Sequence, residues 1–114
     1  MKMSYKEVFI IVTTPSVPGY HVKKVLGVVS GLTARTRGAG GKFVAGIQSI
    51  LGGEVSAFTS ELEKARIEAI ERAKENARRM GANSIVGLDI ETSEVFEGVV
   101  VISATGTAVI IESE

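Results

Sequence analysis

Apolar residues along this chain switch between a two-residue and a 3.6-residue period, and the switches mark out its elements. Val8-Phe9-Ile10-Ile11-Val12 is a short β-branched run closed by Thr13, Thr14 and Pro15, which predicts a first strand. Pro15, Pro18 and Gly19 make the next connection a loop. From Tyr20 to Thr33 the pattern alternates imperfectly, with Val22, Lys24, Leu26 and Val28 against Lys23, Val25, Gly27 and Val29. This predicts a second strand, with Gly27 at a bulge or a close contact. Thr33 to Lys42 is polar and glycine-rich and reads as a loop, and Phe43, Val44, Ile47, Ile50 and Leu51 fit a short helix ended by Gly52-Gly53.

The longest periodic stretch comes next. Phe58, Leu62, Ala65, Ala69, Ala73, Ala77 and Met80 recur every three or four residues, the stripe of a helix that covers something. Most of the stripe is alanine, so the helix can lie close to its support. Its start falls between Ser56 and Ser60, where Ser60 and Glu63 fit a capping box. Arg78 and Arg79 suit the negative end of the helix, and Gly81 supplies a left-handed stop. Ser84 to Phe96 and Val99 to Glu112 then predict two more strands about a hairpin tip at Glu97-Gly98.

The order is β-β-α-α-β-β in a single domain over residues 1–114. Strands joined by short turns, with helices grouped in the middle, predict an α+β fold: an antiparallel sheet covered on one face by a short and a long helix. Val8 to Val12, Val99-Val100-Val101-Ile102 and Val109-Ile110-Ile111 are apolar on both faces, yet two helices cover only one side. An uncovered apolar face would exceed the few hundred Å² that monomers expose, so copies of the same chain are expected to bury it, most simply in a ring.

Composition narrows the chemistry. The chain has 114 residues, is 45% hydrophobic and only 5% aromatic, and therefore builds an aliphatic core. With no Cys it can form neither a disulfide nor a thiolate metal site, and with one His it has no local His pair. No apolar run reaches the ~20 residues of a membrane span and no signal-peptide pattern is present, so a soluble cytoplasmic protein is expected. Charge is unevenly spread. Residues 1–53 carry seven basic side chains and one acid, a net +6, which leaves −6 for residues 54–114. Either the two halves face each other, within or between subunits, or the basic half forms an anion site around Arg35, Arg37 and Lys42.

Gly38-Ala39-Gly40-Gly41-Lys42 fails both phosphate-loop templates, because Thr36 and Phe43 stand where glycine or a hydroxyl is needed. Asp89 and Glu91 share a strand face and offer oxygen donors of the kind that suit Ca²⁺ or Mg²⁺. Ser103, Thr105 and Thr107 line one face of the last strand, with Ala104, Gly106 and Ala108 on the other. His21, Glu54, Thr105 and Thr107 are the polar candidates for a site between subunits. Few aromatics interleave with the basic residues, which argues against a nucleic-acid surface.

Val44-Ala45-Gly46-Ile47-Gln48-Ser49-Ile50-Leu51-Gly52-Gly53-Glu54, Thr59, Arg66, Gly81-Ala82-Asn83-Ser84-Ile85-Val86-Gly87 and Gly106-Thr107-Ala108-Val109 resemble the YbjQ-like family over nearly the whole chain. That family is uncharacterised and carries a heavy-metal-binding label. The resemblance implies a dodecin-like subunit assembled as a pentamer. The chain departs from the label in having no Cys and one His, so no metal ligand is carried over and no cofactor is assigned. The function expected is a non-enzymatic, homo-oligomeric module that binds a small ligand, an anion or a metal ion. The alternatives are an enzyme with its active site between subunits, or a structural ring that binds another protein.

Overall fold

Four alanines decide where the helix lies. In this computed structural model, which describes residues 8–36 and 56–114 (with side chains from residue 60 onward in the second range), α1 spans Ser56–Arg79. Ala65, Ala69, Ala73 and Ala77 are each wholly buried against the sheet. With only methyl groups between them, the backbones of helix and sheet nearly touch. A Cβ added to Gly31 would stand 2.2 Å from the Ala69 carbonyl oxygen and 2.4 Å from the Ala73 nitrogen. The end of the helix is a Schellman stop: Gly81 takes φ +95°, and the Ala82 and Gly81 amides donate to the Ala77 and Arg78 carbonyls. The predicted short helix over 43–51 lies outside the described residues.

The sheet has four strands in the order β1-β3-β4-β2: β1 (Ile10–Ile11), β2 (Tyr20–Thr36), β3 (Ser84–Phe96) and β4 (Val99–Ser113). β2 and β3 each pair antiparallel with β4. The sheet is mixed, however, and not antiparallel throughout, because β1 pairs parallel with β3 through Ile10 and Ile11. Pro15 and Pro18 prevent a tight hairpin into β2, so the first strand comes in beside β3. Ser84, fully buried, fixes it there by donating to the Ile10 carbonyl at 2.7 Å. β2 also runs three residues further than expected, to Thr36, taking Arg35 out of the loop and onto the sheet.

Two apolar clusters fill the two faces. The larger joins the helix alanines to Val29, Ile85, Leu88, Ile102, Ala104 and Ala108, with Phe9 at its margin under Lys74 and Arg78. The smaller lies on the opposite face, where Val17, Val86, Val109 and Ile111 pack with Ile10 and Val12. Here the segment between β1 and β2 folds over the sheet: Val12 and Gly87 donate to Ile85 and Thr14 carbonyls, and Leu88 donates to Val12. Part of the second apolar face is thus covered by the chain itself, and the expected need for a neighbouring copy shrinks to the part left open.

Candidate functional site

The open part is the non-helix face of β2, β4 and the far half of β3, and two kinds of irregularity decide what it carries. In β2 the register slips between Val22 and Lys24 and again between Val25 and Gly27, where Gly27 takes φ +137°. The slips bring Val25 onto the face of Val22, Val28 and Leu32, and the four stand opposite Val109, Ile111, Thr107 and Ser103 respectively. All four are substantially exposed, Val28 the most at 77%. In β3 the register slips between Val86 and Asp89, around Gly87 at φ +64°. The slip buries Leu88 and turns Asp89 and Glu91 to the open face, opposite Thr105 and Ser103.

The face therefore has three bands: aliphatic on β2, hydroxyl on β4 and acidic on β3. Between them is a shallow concavity of about 420 Å³ lined by Val28, Asp89, Glu91, Ser103, Thr105 and Thr107, floored by Gly87 and Gly106. Oxygen donors meet an apolar wall, an arrangement that can orient a small polar molecule or a hard cation. The sequence shows the carboxylates and the hydroxyls as separate groups; the strand register unites them. Counting in twos puts Val22 and Val28 on one face with Lys24 and Leu26; the two slips in β2 take Lys24 and Leu26 off that face and bring Val25 onto it, and Gly27 is the one visible sign.

The other expected site residues separate. Thr105 and Thr107 line the concavity. His21 lies at the far end of β2, with Nε2 3.5 Å from Glu112, a carboxylate that Lys23 also approaches at 3.1 Å. Arg35 is held over the helix by Glu61 at 3.3 Å and Glu68 at 3.1 Å, so its charge is matched within the chain. Arg37, Lys42 and Glu54 lie outside the described residues.

A scan against protein families matches residues 9–112 to the YbjQ model, described as "Putative heavy-metal-binding". The chain belongs to the YbjQ family. Similar proteins include a UPF0145 protein of Methanocella arvoryzae, 42% identical over 108 residues, covering 95% of this chain and 90% of that one. A UPF0145 protein of Saccharolobus solfataricus is 40% identical over 111 residues, covering 96% and 97%. Among solved structures, a protein of unknown function of the DUF74 family from Pediococcus pentosaceus superposes with a TM-score of 0.62 at 19% identity, covering 91% of this chain and 98% of that one. This last likeness is one of fold.

The family description can be set against the donors this YbjQ chain has. Heavy-metal sites are built from thiolates and imidazoles, and here there is no Cys and one His. Among the described residues, no three His, Asp or Glu groups stand close enough to hold an ion. The described residues of a single chain do not fit a heavy-metal centre. Nor, among the described residues, is any helix long and apolar enough to cross a membrane.

Proposed function

We propose that the protein is a non-enzymatic, homo-oligomeric binding module, a ring of subunits, five by family resemblance, whose open sheet faces together bind a small ligand or ion. The observation that carries the reading is the open face itself: exposed Val22, Val25, Val28 and Leu32 beside a concavity with two carboxylates and three hydroxyls. A monomer would leave the aliphatic row in water at about 25 cal/mol for each Å². Packing copies through that row removes the cost and encloses the polar concavity, where Asp89, Glu91, Ser103, Thr105 and Thr107 of several subunits supply the donors that one chain lacks. Oxygen donors favour a hard cation or a hydroxylated molecule over a soft metal.

Native mass spectrometry of the full chain, in the presence of Mg²⁺, Ca²⁺ or Zn²⁺, tests the reading. The expected result is one defined oligomer that retains a fixed number of Mg²⁺ or Ca²⁺ ions, lost in an Asp89→Asn/Glu91→Gln variant that keeps its oligomeric mass. A stable monomer at micromolar concentration overturns the assembly. An oligomer that holds none of these ions overturns the ion form of the reading.

A further inference from the structure

A second cleft, of about 420 Å³, runs between α1 and the outer edge of β2. Helix residues three and four positions apart share a flank, so Arg72, Asn76 and Arg79 form a row along it. Two of the three reach the strand. Arg72 donates to the Leu32 carbonyl at 2.6 Å, and Asn76 donates its amide to the Ser30 carbonyl at 2.8 Å. In an antiparallel ladder the N–H and C=O of one residue point to the same side. The Ser30 and Leu32 amides therefore face outward into the cleft as well, and none of the described residues accepts from them. The helix satisfies the carbonyls of this edge and leaves its donors open.

The two arginines also keep donors in hand. A guanidinium has five N–H donors. Among the described residues, Arg72 meets only Glu68 besides Leu32, at 3.7 Å. Arg79 meets Glu75 at 3.6 Å and the Asn76 side-chain oxygen at 3.4 Å. Both glutamate contacts are long and exposed, the kind that contributes little and gives way to a better acceptor.

We propose that this cleft binds a small molecule with two oxyanion groups, a diphosphate or a short dicarboxylate. The donors set the chemistry: two guanidinium forks, which match carboxylate and phosphate, and two amides that lack acceptors. Spacing sets the number of anionic groups. The amides lie about 6.8 Å apart along the strand, and the two arginines leave the helix about 10.5 Å apart along its axis. One compact anion reaches one end of this row, whereas a ligand with an anionic group at each end reaches both. The cleft shares no residue with the concavity of Asp89 and Glu91. It needs no second copy, so it stands or falls apart from the proposed assembly.

Glu75 gives the site a signature. Its carboxylate lines the cleft and competes with a ligand for Arg79. Removing that negative charge therefore tightens binding, an effect that a purely structural ion pair would not produce.

Isothermal titration calorimetry of the full chain in metal-free, low-salt buffer tests the proposal. Inorganic pyrophosphate and succinate are the two-group ligands, with inorganic phosphate and acetate as their single-group controls. At least one two-group ligand is expected to bind about tenfold more tightly than its control, and the tighter of the two assigns the cleft to diphosphates or to dicarboxylates. Arg79→Gln, a side chain with no backbone partner among the described residues, is expected to weaken that binding about tenfold. Glu75→Gln is expected to strengthen it about threefold, with circular dichroism confirming that both variants are folded. If none of the four ligands binds at millimolar concentration, there is no such site. Single-group ligands that bind as tightly as two-group ones overturn the two-ended ligand, and an Arg79→Gln protein that binds like the parent overturns the location.

Discussion

Replacing Gly31 by Ala adds one methyl group at the tightest point of the molecule. Gly31 is buried in β2 under the helix and has an ordinary extended φ, so the new side chain costs nothing in backbone strain. In the unfolded chain the substitution removes conformational freedom, which by itself would stabilise by about 0.4–1 kcal/mol. The folded state decides otherwise. The methyl carbon would stand 2.2 Å from Ala69 O, 2.4 Å from Ala73 N and 2.9 Å from Arg72 C, all helix backbone, whereas real Cβ contacts essentially stop at 3.0 Å. No rotamer change relieves a clash with backbone, so the helix must rise by about 0.8 Å, the difference between those two oxygen distances. A radial gap of that size forfeits about a quarter to a half of the dispersion energy of each contact it opens. It opens them along Ala65, Ala69, Ala73 and Ala77 together. Overpacking of this kind costs about 3 kcal/mol, the upper end of its usual range, and the net destabilisation is about 2–3 kcal/mol. For 114 residues that lowers Tm by about 8–12 °C. Urea unfolding followed by circular dichroism measures it, with Ala34→Val, exposed in the same strand, as the control expected within about 0.5 kcal/mol of the parent. A Gly31→Ala protein as stable as the parent would refute the claim that helix and strand meet backbone to backbone.

Three further outcomes follow from single contacts. Thr33 is 2% exposed and donates to the Ala65 carbonyl at 2.9 Å; the nearly isosteric Thr33→Val should lose about 1 kcal/mol in the same urea assay. Asn83 extends the sheet with its side chain, donating to the Ile111 carbonyl at 3.0 Å while accepting from the Ile111 amide at 2.8 Å. Asn83→Ala removes both bonds and should cost about 1–3 kcal/mol, and hydrogen exchange at the Ile111 amide should speed up. Arg35 bridges Glu61 and Glu68 at the half-exposed margin, so an Arg35→Met, Glu68→Gln double-mutant cycle should give a coupling of about 0.2–1 kcal/mol that fades in 1 M salt.

The helix was legible in the sequence because its evidence is local: an alanine every fourth residue, basic residues in the last turn and a glycine stop. The β3–β4 hairpin was legible for the same reason, with Gly98 at φ +80° between strands whose ends were read almost to the residue. Parallel pairing of β1 was not, since nothing in Val8 to Val12 says which strand will receive it; the choice is made by Ser84 and Asn83, more than seventy residues away. The candidate site was half legible. Thr105 and Thr107 could be placed on one face by counting in twos, and Asp89 with Glu91 likewise. Whether the two sets share a face depends on the slip at Gly87, and a slip of one residue sends a whole strand pattern to the other side. Val22, Val28 and Leu32 share a face by counting in twos, but Val25 joins them only through the paired slips on either side of it. Periodicity carries no trace of a bulge except the glycine that permits it.

Bulges and edge cover together explain why the surface of this domain is directional. A regular sheet under a helix would offer two similar edges and one uniform open face, and copies could associate in either sense. Here Asn76 and Arg72 close the middle of the β2 edge, and the Val12–Val17 segment closes the near half of the β3 edge. Among the described residues, what stays open is a basic stretch at one end of one edge and an acidic stretch at the opposite end of the other. Neither stretch could pair with its own copy without like-charge repulsion. The helix lies on the face opposite the band of carboxylates and hydroxyls. Oxygen donors of this kind suit a hydroxylated molecule or a hard cation. A soft metal asks for thiolates the chain does not have.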